Sequence, residues 1–258
     1  MYFCDVVFTE NRVRTGISGL DELIEGGLPR GFCYTVMGGP GSGKTLFGVQ
    51  FLYNGATLYG ENGIYVTLEE PPYSIANNAR RFGWDLYRLE TARKLVFVDA
   101  SPIRGLGRAA PLYTLRAPIG SHEFSIDDII GLIGEAKRSI DAKRCVIDSL
   151  TALTVQYDSP FEVRYSVLRL VKALTETGLT TLLLSELSEE RVDAQRFGFE
   201  AFIAQGVIVL HMIRIGDSIN RALEVRKMRG VKHLQRLCPM RITDKGIEVF
   251  PEEKIFGL

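Results

Sequence analysis

The segment GGPGSGKT, Gly38 to Thr45, constrains this chain more than any other stretch. It fits the pattern G-x-x-x-x-G-K-[ST], with an apolar strand-like run (FCYTVM, 32–37) entering it and a helical pattern (KTLFGVQFLYNGA) leaving it. Its glycines let successive backbone N–H groups turn inward around phosphate oxygens, and the following helix brings its positive end to the same place. Lys44 is then placed to reach β- and γ-phosphates, and the Thr45 hydroxyl to ligate Mg²⁺. The expected nucleotide-binding set is Gly38, Gly39, Pro40, Gly41, Ser42, Gly43, Lys44, Thr45 and Leu46.

The rest of the chain repeats that alternation of strand and helix. Apolar runs at 32–37, 63–68, 94–100, 144–150, 180–185 and 206–213 are separated by helical patterns at roughly 44–59, 72–83, 125–141 and 161–177. Several runs are continuously apolar, as strands covered on both faces are. The expectation is an α/β fold with a mainly parallel sheet and right-handed crossovers. Beyond 206 the helical patterns stop, and 221–228, 238–243 and 246–250 read as strands extending the same sheet. The stretch 101–128 reads as a long irregular connection, of the kind that is usually functional or mobile. No linker composition interrupts the chain, so 1–258 is expected to be one domain.

Composition excludes several classes. With 31 Lys+Arg against 31 Asp+Glu there is no bulk attraction toward nucleic acid or an anionic membrane. Cys4, Cys33, Cys145 and Cys238 lack zinc or CxxC spacing, and Cys33 and Cys145 sit in apolar runs as buried thiols would. No apolar run approaches the roughly 18–20 residues of a membrane span. The opening MYFCDVVFTENR has no basic region followed by an apolar stretch, so it is not a signal peptide. A reduced, cytoplasmic protein is expected.

Three further groups carry chemistry. Asp148 ends the apolar run RCVID, where a Walker B carboxylate would bind Mg²⁺ beside the phosphate loop. Alone, such an Asp is more readily a helix N-cap, and the phosphate loop about 100 residues upstream is what reverses that reading. Glu69 and Glu70 follow GIYVTL at the end of a strand, where open α/β sheets bind ligands. One of them could polarise a water for in-line attack on a γ-phosphate. Finally, KMRGVKH (227–233) places Lys227 and Arg229 two apart, on the same face of a strand. That suits a phosphate clamp, a solvated edge strand or a nucleic-acid patch.

Taken together, RTGISGLDELIEGGLPRG (14–31), GGPGSGKT, YVTLEEPP (65–72), NARRFGWDL (78–86), VIDSLTAL (146–153), RFGFEAF (196–202), KMRGVKH and ITDKGIEVF (242–250) resemble a KaiC-type domain. That family is a branch of the RecA superfamily of P-loop ATPases. The resemblance runs in order from residue 14 to 250 and implies a RecA-like P-loop fold with a C-terminal antiparallel extension. It also implies a ring, usually a hexamer, with ATP bound between neighbours. One subunit would supply Gly38–Thr45, Glu69 as general base, Glu70 in support and Asp148. Its neighbour would supply Lys227, Arg229 and His233, and Thr243 and Asp244 would lie near the base. Two departures stand out. Ala201 and Phe202 occupy the positions of an adjacent Ser-Thr pair phosphorylated in the family's kinase domain, so a timekeeping autokinase is not expected. Leu187 falls where the family often has an Arg after a Thr-Glu, so a γ-phosphate sensor is not expected there.

The leading expectation is therefore a Mg²⁺-dependent, ring-forming ATPase that takes ATP, associates with itself and serves an unknown protein partner. A DNA-dependent recombinase of the RecA/RadA kind is the first alternative. It is disfavoured by five acids against two arginines in Glu186–Phe202, where such proteins carry a DNA-binding loop. A non-hydrolysing ATP-bound switch is the second, and the Glu69-Glu70 pair argues against it.

Overall fold

The structure is a computed structural model and describes residues 11–100, 114–116, 125–154, 157, 159–187 and 200–254. The chain enters through a short strand pair, β1 (Arg12–Val13) and β2 (Leu28–Pro29), with α1 (Leu20–Leu23) between them. Then follow β3 (Cys33–Gly38), α2 (Lys44–Leu58), β4 (Gly63–Thr67) and α3 (Pro72–Ala79), which runs on into a 3₁₀ turn at Arg80–Phe82. Next come α4 (Leu86–Thr91), β5 (Leu95–Asp99), β6 (Thr114–Arg116), α5 (Ile126–Ile140), β7 (Arg144–Asp148) and α6 (Leu150–Thr154). Helix α7 (Pro160–Glu176), β8 (Thr180–Glu186) and α8 (Glu200–Ile203) precede four strands: β9 (Gly206–Ile215), β10 (Ser218–Met228), β11 (Leu237–Thr243) and β12 (Gly246–Val249).

Ten strands form one sheet in the order β12-β11-β10-β9-β3-β8-β7-β4-β5-β6. From β9 to β6 every pair is parallel, and from β9 to β12 every pair is antiparallel. This is the mainly parallel sheet with an antiparallel extension that the sequence implies. The reason lies in the strands themselves. Every residue of β3 and β4 is buried, because alternate side chains enter two different cores. Tyr65 joins Phe47, Phe51 and Phe97 on the face covered by α2, while Ile64 and Val66 join Ile129, Ile133 and Leu170 beneath α5 and α7.

Helix α2 lies unusually close to β7. A Cβ added at Gly48 would come within 2.8 Å of Val146, and one at Gly55 within 2.6 Å of Arg144. Arg144 itself is fully buried: Nε donates to Glu61 at 2.7 Å and Nη1 to the Phe51 carbonyl at 2.9 Å, while Nη2 lies 2.6 Å from the same Glu61 oxygen as an ion pair, without a hydrogen bond of its own among the described residues. Its guanidinium also lies 4.5 Å from the centre of the Phe51 ring. A charge at the start of a buried strand needs a partner such as the Glu61 carboxylate. These contacts fix the helix that follows the phosphate loop against the strand that carries Asp148.

Where expectation and structure differ, the differences are local. The strand expected at 144–150 ends at Asp148, and Leu150 already opens α6. Helix α4 was not legible as a periodic pattern, because six residues are too few; its start is marked by Asp85, whose side chain accepts from the Arg88 N–H at 3.0 Å. Within the stretch read as an irregular connection, 114–116 is a strand and 126 begins α5, which starts at a Ser125–Asp128 capping box. Residues 101–113 and 117–124, the acidic stretch 188–199, and the opening residues with Cys4 lie outside the described residues. Among the described residues, no helix is long and apolar enough to cross a membrane.

Candidate active site

Four parallel strands bring the sequence-predicted groups to one edge of the sheet. Gly38, which ends β3, pairs in register with Glu186 at the end of β8, and Thr67 at the end of β4 pairs with Asp148 at the end of β7. The phosphate loop, Asp148 and the Glu69-Glu70 pair therefore share the carboxyl ends of their strands, where ligands bind in sheets of this type.

Asp148 is the hub of the hydrogen bonding there. The Thr45 hydroxyl donates to its Oδ2 at 2.8 Å, and the Tyr65 hydroxyl donates to the same oxygen at 2.7 Å. Lys44 Nζ donates to the carbonyls of Gly38 and Gly39 at 2.8 and 3.1 Å, so the lysine arches over its own loop. Gly41 and Gly43 hold φ of 74° and 104°, values that strain a residue bearing a Cβ. The Ser42 hydroxyl is buried within the loop without a hydrogen-bond partner among the described residues. Glu69 accepts from the Ser149 hydroxyl, whose oxygen in turn accepts from the Ala152 N–H at 3.2 Å. The Thr67 hydroxyl donates to the Glu70 carbonyl, pinning the turn that carries both acids.

The electrostatics follow from crowding acids around one ammonium. Burial pushes the Asp148 carboxyl above its ordinary range, against the pull of the Tyr65 and Thr45 hydrogen bonds. Burial likewise raises Glu70, with Asp148 and Glu69 adding repulsion. Lys44 is lowered by burial, while Glu186, Asp148 and Glu69 hold its charge in place. Acids outnumber the lysine, and the Thr45 hydroxyl with the Asp148 carboxylate offers two hard oxygen ligands. That donor set fits a small divalent cation such as Mg²⁺.

A cavity of about 370 Å³ opens from this edge between α2 and α3. Gly41, Gly43, Lys44, Thr45 and Glu70 are among its lining residues. Leu46, Val49, Ile75, Ala79, Phe82 and Ile242 form its apolar wall. Thr243 and Asp244, expected near a base, occupy the turn between β11 and β12 next to Ile242; the Thr243 hydroxyl is engaged there with Gly246 O at 3.3 Å and Lys245 N at 3.1 Å.

The basic group lies elsewhere. Lys227 pairs with Val207, which pairs with Thr35, three residues before Gly38 and so about 10 Å below the loop. Its Nζ donates to the carbonyls of Ala201 and Ala204 at 3.0 and 2.8 Å. Burial and Arg229 lower its pKa. Strand β10 carries a register shift between Val225 and Lys227 and ends at Met228, so Arg229 follows the strand and does not share a strand face with Lys227. The His233 ring contacts Val231 O through Nδ1 at 3.2 Å, and its buried Nε2 has no hydrogen-bond partner among the described residues.

The family described as "ATPase: KaiC" matches residues 13–254. The chain belongs to the KaiC ATPase family. It is thus a P-loop ATPase domain of the RecA superfamily. It is 40% identical over 243 residues to the circadian clock oscillator protein KaiC of Synechococcus elongatus, covering 93% of this chain and 44% of that protein. The KaiC of Parathermosynechococcus lividus is 39% identical over 92% of this chain and 42% of its own length. The chain therefore spans less than half the length of these curated relatives. A crystal structure of a KaiC-like protein from Pyrococcus horikoshii superposes with a TM-score of 0.78 at 36% identity, over 93% of this chain and 99% of that one.

Sequence reasoning missed Tyr65, Ser149 and, apart from Leu46, the wall of the cavity. Tyr65 and Ser149 read as positions within apolar strand runs. The wall carried a faint signal, since Ile75, Ala79 and Phe82 recur at helical spacing. The buried charge on Asp148 carries a testable cost. Because its folded pKa is raised, its contribution to stability is full below the ordinary carboxylate range and is lost as pH rises through the raised value. Asp148→Asn, measured without nucleotide or metal, is expected to gain about 2–4 °C in Tm over the parent at pH 8 but little at pH 4. A Tm lowered equally at both pH values would mean that the carboxylate is a structural requirement instead.

Proposed function

We propose that this chain is a single-domain (1–258) Mg²⁺-dependent ATP hydrolase, working in a homo-oligomeric ring, six-membered by its resemblance, in the cytoplasm. The observation that carries the reading is a division of the site. Lys44, Thr45, Asp148 and Glu69 meet at one edge of the sheet, while Lys227 is held about 10 Å below the loop by Ala201 and Ala204. A chain that keeps a phosphate clamp out of reach of its own phosphate loop is built to offer that clamp to a neighbour. Nucleotides would thus bind between copies, as the resemblance to KaiC-type domains implies.

In this reading the backbone of Gly38–Gly43 and Lys44 hold the phosphates, and Leu46 opens the way to the nucleoside end. Thr45 and Asp148 would hold Mg²⁺, which supplies charge neutralisation at the β- and γ-phosphate oxygens when bound. Glu69, oriented by Ser149, accepts a proton from the attacking water, and Glu70 supports it through its own negative charge. Lys227, Arg229 and His233 of a neighbouring copy stabilise charge on the transferred group. Thr243 and Asp244 border the base. Positioning and charge complementarity, rather than covalent chemistry, supply the rate.

The test is ATP turnover per subunit as protein concentration is varied, with Mg²⁺ and without nucleic acid. Specific activity is expected to climb with concentration to a plateau, as the site is completed by association. Absence of turnover at every concentration would overturn the reading in favour of an ATP-bound switch or a DNA-dependent enzyme.

A further inference from the structure

The cavity beside the phosphate loop has a mixed polar and apolar lining. Beyond Lys44, Thr45 and Glu70 its side chains are apolar with one exception, Asn78. Asn78 stands on α3 three residues after Ile75 and four before Phe82, so all three face the cavity together. It is exposed, and its side-chain amide makes no hydrogen bond to another described residue. A lone amide beside an apolar slot, on the last turn of α3 while Glu70 stands just before its first, is the arrangement of a group that reads the edge of a planar ring.

We infer that Asn78 sets the base specificity of this site by pairing with adenine. The inference rests on the proposed reading of the cavity as a nucleotide site, with the phosphates at Lys44. An amide offers one donor and one acceptor side by side. On the N6/N7 edge of adenine it meets a complementary donor and acceptor. Guanine and hypoxanthine present two acceptors, O6 and N7, on that edge. Rotating the amide cannot satisfy both, since it has an N–H donor on one side only. The apolar wall of Leu46, Phe82 and Ile242 accepts any purine ring equally, so within the cavity lining discrimination falls to Asn78.

The experiment is equilibrium titration of the full chain, in Mg²⁺ buffer, with ribose-labelled fluorescent ATP, GTP and ITP. ITP isolates the 6-position, because it shares O6 with GTP and lacks the 2-amino group. Parent protein is expected to bind ATP more tightly than GTP or ITP, and Asn78→Ala to lose about 5- to 150-fold in ATP affinity alone. GTP and ITP affinities should stay where they are, and Asn77→Ala, on an exposed side chain outside the cavity lining, should resemble the parent. An Asn78→Ala protein that keeps the parent's ATP-to-ITP ratio would overturn the inference and leave the ATPase reading standing. So would a parent protein that binds all three alike. A parent that binds no nucleotide would overturn both.

Discussion

Glu69→Gln is expected to lower ATP turnover by about 10²- to 10⁴-fold while leaving ATP affinity nearly unchanged. Glutamine matches glutamate in size, and its carbonyl oxygen can still accept the hydroxyl of Ser149. It cannot take a proton from water. Glu70→Gln is the necessary companion, because burial, with Asp148 and Glu69 adding repulsion, raises the Glu70 carboxyl and so favours proton acceptance there. Geometry favours Glu69. Its carboxylate is oriented by Ser149, itself fixed by Ala152, and a base held by a third group is the usual catalytic arrangement. Glu70 instead lines the cavity beside Lys44. Measuring kcat and equilibrium ATP binding for both variants decides between them. If Glu70→Gln is the variant that keeps binding and loses turnover, the base role passes to Glu70.

Much of this site was legible because its parts are local. The phosphate loop is a run of eight residues, and Asp148 and the two glutamates are acids at the ends of apolar runs. Tyr65 was not legible. In the sequence it is one more apolar position in a strand, and its hydroxyl meets Asp148 only once β4 and β7 pair with Thr67 opposite Asp148. Arg144 reads as a solvated strand start, yet Glu61 and the Phe51 carbonyl draw it fully inside. The pairing of Lys227 with Arg229 on one strand face failed for a similar reason: a register shift and the end of β10 intervene between pattern and geometry. A candidate reader of the nucleobase was not legible either, since Asn78 joins the cavity lining only when the wall assembles around it. Long-range register, rather than composition, separates the two groups.

Two proteins that are each inactive, Lys227→Ala and Glu69→Gln, are expected to recover activity when combined in one assembly. If each site takes its general base from one copy and its clamp from the next, a site works when a Lys227→Ala copy supplies Glu69 and a Glu69→Gln copy supplies Lys227. Random mixing at equal amounts puts that pairing at about a quarter of the interfaces of a closed, head-to-tail ring, so about a quarter of parent turnover should return. The copies must be produced together or refolded together, and mixed assemblies verified by mass. The arithmetic discriminates sharply, because a site complete within one chain carries one of the two lesions in every copy and gains nothing from mixing. The fold predicts the first outcome. Lys227 sits on the antiparallel side of the sheet at the level of Thr35, tied to Ala201 and Ala204, while the phosphate loop begins past Gly38. Bringing the two together within one chain would require slipping β10 along β9 by several residues, which would turn the buried Leu223 and Val225 out of the core. A neighbour can present the same lysine with no such cost, and mixed assemblies without recovered turnover would remove the shared site from the proposal.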